Sequence, residues 1–397
     1  MTTSDLKQVD HVCLSSIDWG YLWQGHQEVM ARFARRGSRV LYVENTGVRA
    51  ARLTDWKRLI ARLRAGSGSV IRSRHPVPGV ELLAPLALPF PWSRVARRVN
   101  RMLLADRLPD RVARMGMTAP VAWSFLPTPL ALDTFRALRR TRSAAVYYCV
   151  ADFDAVSDHP EDARRAELEL LGEVDLVLAG ARTLQRRLAQ HHPRVILAPF
   201  SVADVFFEPP GSVPDDLRAI PHPRIGYVGG LHRHVDSELM EGVFRLLPDV
   251  QFVFVGPDIG EHVSERFRAP NVHLLGRRPQ QALPAYISGF DVCVIPYVLS
   301  DFTKSVAPMK FHEYLALGKP VVSTPLQEVR LLGYDDDLVR IAATPAEFAA
   351  AIRAALSAPE GAADRRRSAA RAYSWAVLFE TILRELRAVI RDDRLVV

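Results

Sequence analysis

The chain has 397 residues, of which 48% are hydrophobic and 24% are charged. This composition excludes wholesale disorder, and the length predicts two domains rather than one. The longest apolar run, 82–92, is interrupted by three prolines, so no membrane-spanning helix is expected. The net charge of +8 is concentrated in residues 49–114, which hold 15 Lys and Arg against 4 Asp and Glu.

The three cysteines, Cys13, Cys149 and Cys293, each lie between apolar residues and far apart in the sequence. We interpret them as buried strand residues that form neither a zinc site nor a disulfide framework. The histidines lack the spacing of a metal site, so no bound metal is predicted. Residues 1–10 show no signal-peptide pattern, and together with the cysteines this predicts a cytoplasmic protein.

The chain begins with a β-loop-α-β unit. A strand is predicted at 11–14, a helix from about Gln27 to Arg36, and a second strand at 39–43. Parallel sheets bind ligands beyond the carboxyl ends of their strands, so the loop before this helix is expected to face a ligand. Gly25 would let the backbone approach that ligand closely, and an ordinary turn glycine explains the residue equally well.

Strands and helices continue to alternate through the first half of the chain. This alternation is typical of a parallel sheet with helices on its faces. Predicted strands lie at 80–83, 121–125, 144–150, 174–179 and 194–198, and predicted helices include 93–115 and 160–171.

Two acidic residues, Asp152 and Asp154, directly follow the apolar strand at 144–150. A carboxylate at the carboxyl end of a buried parallel strand faces the ligand, where it can act as a general base. A structural Asp that caps the next helix fits the same position. Comparable positions are held by Asp10, Asp18 and Glu44.

A proline-rich segment at 208–216 separates the first alternation from a second one. Beyond Ala372 the sequence predicts an amphipathic helix. We therefore expect domains at 1–205 and 206–372, and a C-terminal helix within 373–397. The strands predicted for the second domain lie at 224–228, 251–255, 271–275, 292–295 and 321–323.

The most informative motif of the second half is a helix that leads into the strand at 321–323. Pro308 suits the start of a helix, and Gly318 ends it. Lys310 and Glu313 are three residues apart and therefore lie on one face. A lysine near a helix N-terminus can hold phosphate, and a carboxylate one turn later can accept hydrogen bonds from ribose hydroxyls. A surface Lys–Glu ion pair is the alternative interpretation.

The run from Pro308 through Lys310, Glu313 and Gly318 to Val322 resembles the donor-site signature of GT-B glycosyltransferases, especially bacterial polysaccharide and cell-wall enzymes of the group 1 or family 4 type. The resemblance extends more weakly over nearly the whole chain. It implies an α/β fold with two Rossmann-like βα domains facing across a cleft. It also implies a C-terminal helix that crosses back to the first domain, and a Glu313 that grips the ribose of a nucleotide sugar.

The resemblance adds further donor-site residues, although the sequence departs from the family pattern at two of them. Ser305 stands where many retaining members carry Glu, and Gly230 stands where many carry a phosphate-binding Arg. Lys310 or Arg233 would then replace that Arg. Thr303 and Ser305 are expected to donate to the pyrophosphate. The remaining predicted donor-binding residues are Gly229 at the first turn of the second domain, Gly276 and Arg277 near the nucleobase, and Gly25.

The implied activity is that of a hexosyltransferase-type glycosyltransferase. It would move a sugar from a nucleotide-diphosphate sugar, its donor substrate, to a glycan or polyprenyl-linked acceptor in cell-surface polysaccharide biosynthesis, with no bound cofactor. Asp152 resembles the Asp that follows this strand in some inverting members, which predicts that it is the catalytic base. A nucleotide-sugar 2-epimerase of the same fold is the alternative. A nucleic-acid partner is not expected, because the basic segment contains no recognised binding motif.

The basic segment predicts contact with an anionic membrane surface on the inner face of the cell membrane. Residues 52–64 would form a helix with Trp56 and Ile60 on its apolar face and arginines around that face. A helix whose apolar stripe packs on the first domain is the alternative. A second contact is predicted from Phe90 and Trp92 followed by Arg94, Arg97, Arg98 and Arg101.

Overall fold

The computed structural model describes residues 9–21, 23–44, 77–85, 87–259, 262–357 and 361–390. The predicted membrane-contact helix at 52–64 lies outside these residues. The chain divides into two compact units, of which the first comprises 1–199 with 379–397 and the second comprises 200–378. The boundaries expected from the sequence were 206 and 373.

The first unit is built on a sheet of seven parallel strands with the order β3-β2-β1-β4-β5-β6-β7. Strands β1, β2, β4, β5 and β6 are buried at every position, because helices cover both faces of the sheet. The strands are β1 His11–Leu14, β2 Val40–Val43, β3 Val80–Leu83, β4 Val121–Ser124, β5 Ala144–Cys149, β6 Leu176–Ala179 and β7 Val195–Leu197.

The helices of the first unit follow the strands as the alternation predicted, with one difference. The predicted helix at 93–115 is wrong as a single element, because a 3₁₀ turn at Ala105–Arg107 divides it. The second piece begins at Leu108 with Pro109 in its first turn, where a proline is tolerated. The helices are α1 Gly25–Arg35, α2 Arg94–Leu103, α3 Leu108–Arg114, α4 Pro129–Ala137, α5 Phe153–Val156, α6 Pro160–Leu171 and α7 Arg182–Leu188.

The second unit is built on a sheet of six parallel strands with the order β10-β9-β8-β11-β12-β13. Strand β13 was not predicted from the sequence, since it is only three residues long and carries Arg340 at its centre. The strands are β8 Arg224–Val228, β9 Gln251–Val255, β10 Val272–Gly276, β11 Val292–Ile295, β12 Val321–Ser323 and β13 Val339–Ile341.

Helices connect the strands of the second unit, and a long helix follows the last strand connection. This last helix, α16, spans Trp375–Val389, and its residues from Phe379 onward group with the first unit. The helices are α8 Asp215–Arg218, α9 Ser237–Leu246, α10 Leu283–Ser288, α11 Asp301–Lys304, α12 Met309–Ala316, α13 Gln327–Arg330, α14 Pro345–Leu356, α15 Ala362–Arg371 and α16.

Both sheets have a point at which the strand order reverses direction. In the first unit this point lies between β1 and β4, and in the second it lies between β8 and β11. The connections leave these two strands toward opposite edges of the sheet, so a crevice opens at their carboxyl ends. The residues that follow β8 and β11 are therefore placed to contact a ligand.

Candidate functional site

The predicted donor helix is α12, and it is tied to the end of β8. Pro308 directly precedes the helix, and Gly318 ends it with a φ of +73°. The buried Tyr314 hydroxyl accepts a hydrogen bond from the Val228 N–H at 2.8 Å. This bond fixes the helix against the last residue of β8, beside the crevice.

Lys310 reaches from α12 to the crevice between β8 and β11. Its ammonium lies 5.0 Å from the ring centroid of Tyr227 in β8 and 4.9 Å from that of Tyr297, which follows β11. It also donates a hydrogen bond to the Tyr297 hydroxyl. A Cβ atom at Gly229 would lie 2.9 Å from the ammonium, so the turn after β8 leaves room for Lys310 because this residue is glycine.

The Glu313 carboxylate is buried on the same helix, with 9% of the residue exposed. Burial raises its pKa from 4.5 to about 7, and the charge of Lys310 opposes that shift only in part. Within the described part of the chain, Glu313 has neither a hydrogen bond nor an ion pair, to Lys310 or to any other residue. The alternative of a surface ion pair therefore does not describe these two residues.

Three neighbouring strands of the second unit end in glycines with positive φ. Gly229 follows β8 with φ +145°, Gly256 follows β9 with φ +157°, and Gly276 ends β10 with φ +69°. A Cβ atom on Gly256 would lie 1.9 Å from the Gly229 carbonyl oxygen, and the Gly256 N–H donates to the Gly276 carbonyl at 2.9 Å. The three turns are therefore packed backbone against backbone at one edge of the sheet.

The other predicted donor residues of the second unit lie in different environments. The Gly230 carbonyl accepts a hydrogen bond from the Tyr227 hydroxyl at 3.0 Å. Arg233 and Arg277 are both exposed. Ser305 is buried and donates to the Phe302 carbonyl at 3.2 Å.

Thr303 is engaged within its own turn. Its hydroxyl donates to the Val298 carbonyl at 2.7 Å and accepts from the Ser300 N–H at 2.8 Å. Its backbone N–H donates to the Ser300 hydroxyl in the same capping box. The predicted contact between Thr303 and a pyrophosphate would require this turn to open.

The two remaining predicted residues, Asp152 and Gly25, belong to the first unit, and the others lie in the second. Asp152 occupies the position before α5, but its side chain makes no capping hydrogen bond. Its Oδ1 is buried and has no hydrogen-bond partner among the residues the structure describes. The alternative role as a helix cap is therefore not seen, whereas Asp154 accepts a hydrogen bond from Arg164 at 2.9 Å.

Gly25 is the first residue of α1 and is buried. It is followed by His26, whose burial lowers the pKa of the imidazole to about 3, so this ring is neutral. The Nε2 atom of His26 lies 2.7 Å from the Ser16 hydroxyl in the loop after β1. Both residues therefore lie at the carboxyl edge of the first sheet, as the β-loop-α-β pattern predicted.

Sequence reasoning missed three residues of the second unit that contact the predicted ones. Tyr227 and Tyr297 hold Lys310, and Gly256 packs against Gly229. Gly256 carries a signal that the sequence contains, since it directly follows an apolar strand as Gly229 does. The tyrosines carry no such signal, because they are 70 residues apart and meet only through the strand order.

Chemically, the second-unit residues combine one cation, one buried carboxylate and a glycine-lined edge of backbone. Such an arrangement suits a phosphorylated ligand with hydroxyl groups, in which Lys310 faces the phosphate and Glu313 accepts from the hydroxyls. No group of three or more His, Cys, Asp or Glu side chains able to hold a metal ion occurs in the described ranges. Within those ranges, no helix has the length and apolar character needed to cross a bilayer.

Part of the chain, including the second-unit residues of the candidate site, matches a known family model. Residues 222–358 match the family model described as "Glycosyl transferases group 1". A curated relative, "Putative teichuronic acid biosynthesis glycosyltransferase TuaH" of Bacillus subtilis (strain 168), is 31% identical over 167 residues. That match covers 40% of this chain and 42% of the relative, so it spans less than half of either protein.

Solved structures match the fold over nearly the whole chain. Sucrose-phosphate synthase from Thermosynechococcus elongatus matches with a TM-score of 0.68 at 15% identity, covering 96% of this chain and 98% of that one. Anabaena Alr3699/HepE in complex with UDP matches with a TM-score of 0.68 at 13% identity, covering 96% and 100%. WaaG, a glycosyltransferase involved in lipopolysaccharide biosynthesis, matches with a TM-score of 0.60 at 12% identity, covering 94% and 98%. The predicted GT-B fold is thereby confirmed.

Proposed function

We propose that this protein is a glycosyltransferase that uses a nucleoside-diphosphate sugar as its donor, since residues 222–358 match the glycosyl transferases group 1 model. The observation that carries the proposal is the pair on α12. Lys310 lies at the strand-end glycines, and the Glu313 carboxylate is buried with no partner in the described part of the chain. Lys310 would hold the diphosphate, and Glu313 would accept hydrogen bonds from the ribose.

Several observations support a diphosphate of this kind. The glycine turns after β8, β9 and β10 bring backbone close to the crevice, where a side chain would exclude a bulky phosphate. The solved HepE structure of the same fold contains UDP. Gly229, Gly230, Gly276, Arg233, Arg277, Thr303, Ser305 and Gly25 remain in the proposal as donor-binding residues.

We assign the transfer to cell-surface polysaccharide synthesis, with a glycan or polyprenyl-linked glycan as acceptor. The supporting observation is the 31% identity to a putative teichuronic acid biosynthesis glycosyltransferase. The same relative and the group 1 match favour a transferase over the nucleotide-sugar 2-epimerase.

The predicted membrane contact of residues 52–64 belongs to this proposal, and sedimentation with anionic and neutral vesicles tests it. Equal, weak binding to both kinds of vesicle would count against it.

Asp152 is the proposed base, which takes a proton from the acceptor hydroxyl as that oxygen attacks the anomeric carbon. The buried Oδ1 of Asp152, which lacks a partner among the described residues, supports this role. Asp154, by contrast, already accepts a hydrogen bond from Arg164 at 2.9 Å.

The function is tested by incubating the protein with a panel of nucleotide sugars and following the products by mass spectrometry. We expect slow release of free nucleoside diphosphate from one donor and none from a folded Glu313→Ala variant. That variant should also bind the free nucleoside diphosphate about ten- to a hundredfold more weakly in calorimetry. Formation of an epimeric nucleotide sugar without free nucleotide would overturn the transferase. Unchanged nucleotide affinity in the variant would overturn the donor site.

A further inference from the structure

Helix α2 of the first unit is fixed on one side by a buried residue and exposes several arginines on the other side. Its Asn100 is buried and holds the backbone of Leu88 in both directions, donating to its carbonyl at 3.0 Å and accepting from its N–H at 2.6 Å. Ala96 is buried on the same side. Arg94, Arg98 and Arg101 are three to four residues apart, so they share the opposite, exposed face.

This face is not flat, because α2 and α4 together line a groove of about 760 Å³. The charged residues that line the groove are five arginines and two aspartates: Arg94, Arg97, Arg98, Arg101, Arg136, Asp106 and Asp133. Met102 also lines it, with 55% of its surface exposed. The volume lies in the range of sites that accommodate a small molecule rather than a single ion.

The charges of the groove are only partly balanced. Arg97 is held by Asp133 through two hydrogen bonds of 2.9 and 2.8 Å, and Arg101 contacts Asp106 at 3.2 Å. Arg136 contacts Glu173 at 3.1 Å. Arg94 and Arg98 have no hydrogen-bond or ion-pair partner among the described residues. They lie one helical turn apart, so their like charges repel each other and no described residue offsets that repulsion.

We propose that this groove is a binding site for the diphosphate group of a larger molecule, with Arg94 and Arg98 as its principal ligands. The groove shares no lining residue with the proposed donor site and does not depend on it. Two planar guanidinium groups on adjacent turns can each bind one phosphate through paired hydrogen bonds.

The geometry favours a diphosphate over other partners. Arg97, which lies between the two arginines in the sequence, is fixed by Asp133, and all three arginines line the groove. The two unpaired cations therefore belong to a concave site. The groove volume leaves space for a sugar or the first carbons of a lipid beyond the phosphates, and Met102 offers an apolar contact to that remainder. A flat anionic membrane surface would engage exposed arginines equally, without requiring a groove.

The test uses the whole 397-residue chain carrying Lys310→Met, which removes the cation proposed to hold the donor diphosphate. Inorganic diphosphate is titrated by calorimetry into this protein, into the same protein with Arg94→Gln and Arg98→Gln, and into a control with Arg107→Gln and Arg140→Gln. The control loses the same two charges from exposed positions that do not line the groove. We expect diphosphate affinity to fall about ten- to a hundredfold in the groove variant and to stay unchanged in the control.

Two further arms identify the source of the diphosphate and test the membrane surface. In the first arm, farnesyl diphosphate is titrated in place of inorganic diphosphate. If it binds more tightly than inorganic diphosphate and its affinity falls in the groove variant, the ligand is prenyl-linked. Equal affinity of the two identifies a water-soluble one. In the second arm, the same three proteins are sedimented with phosphatidylglycerol vesicles, and the bound fraction is compared between them.

Three results would overturn the proposal. These are absence of diphosphate binding, an equal loss in the groove and control variants, and a groove variant that loses vesicle binding while keeping its diphosphate affinity. The last result would make the arginines a membrane contact. A failure of the proposed glycosyltransferase function shows separately, as the absence of free nucleoside diphosphate release from every donor of the nucleotide-sugar panel.

Discussion

The ionised Glu313 carboxylate is the proposed acceptor for the ligand, and its burial destabilises the free protein. Its pKa is raised from 4.5 in the unfolded chain to about 7 in the folded one, because burial disfavours the charge. The stabilising contribution of its protonated form is fully present below pH 4.5 and is lost as the pH rises through 7. At pH 8 the ionised group costs about 3 kcal/mol of folding free energy.

Glu313→Gln should therefore raise the melting temperature at pH 8 and leave it nearly unchanged at pH 4.5. The same variant should bind a nucleoside diphosphate about ten- to a hundredfold more weakly at pH 8, because the ionised carboxylate is the stronger acceptor. Calorimetric scans and titrations at the two pH values measure both effects. Glu238→Gln, on an exposed helix position, is the control. A variant that is less stable at pH 8 would show that Glu313 stabilises the fold.

Asp152 and Asp154 lie two residues apart and differ in their partners, which makes them a matched pair. Asp152→Asn keeps the shape of the side chain and removes its basicity, so turnover should fall about 10²–10⁴-fold while nucleotide affinity is unchanged. Asp154→Asn should lose only an exposed ion pair with Arg164 and keep its turnover. Normal turnover of Asp152→Asn, or a product that retains the anomeric configuration of the donor, would exclude Asp152 as the base.

At the scale of elements, the turn after β8 is shaped by what lies opposite it. Gly229→Ala would place a Cβ atom 2.9 Å from the Lys310 ammonium, so Lys310 must move. We expect affinity for a nucleoside diphosphate to fall while affinity for the unphosphorylated nucleoside stays, which paired titrations measure. Gly211→Ala is the control, since it has φ +75° but open space around it. Equal losses for both nucleotide and nucleoside would indicate general damage to the unit.

The bond between α12 and β8 should be measurable as stability of the second unit. Tyr314→Phe leaves the buried Val228 N–H without its acceptor at 2.8 Å, which costs about 1–3 kcal/mol. Urea unfolding should show a lower midpoint with an unchanged slope, because the surface exposed on unfolding is the same. A midpoint equal to that of the native chain would mean that this hydrogen bond contributes nothing to the position of α12.

At the scale of the whole molecule, the boundary between the two units falls within the last helix, α16, between Leu378 and Phe379. Phe379 groups with the first unit, where its ring lies 4.8 Å from that of Phe33 and 4.9 Å from the Arg36 guanidinium carbon. Phe379→Ala should destabilise the first unit by about 3–5 kcal/mol, as expected for deletion of a buried aromatic ring.

Hydrogen exchange followed by mass spectrometry locates that loss. Peptides from α1 and β1 should exchange faster in Phe379→Ala, while those from β8 and β9 should keep their protection. Val377→Ala, half-exposed on the same helix, is the control and should change neither set. Faster exchange confined to the second-unit peptides would contradict the assignment of this part of α16.

Local patterns in the sequence predicted much of this molecule because they depend only on neighbouring residues. Apolar runs bounded by glycine or polar residues located most strands, such as β5 and β8, and the Pro308 to Gly318 segment located α12. The same reasoning joined 93–115 into one helix, although Pro109 lies in the first turn of the second piece and is a local signal for the break. The membrane-contact helix at 52–64 lies outside the described residues and stays a prediction.

Only the tertiary structure decided what surrounds those elements. The strand order brings Tyr227 and Tyr297 to opposite sides of Lys310, although 70 residues separate them along the chain. Packing around α12 buries Glu313 and so raises its pKa, whereas the sequence indicated only that it lies near Lys310. Helical periodicity specifies which residues share a face, but which residues oppose that face depends on contacts between distant segments. The burial and charge environment of the candidate site could therefore be read only from the folded chain.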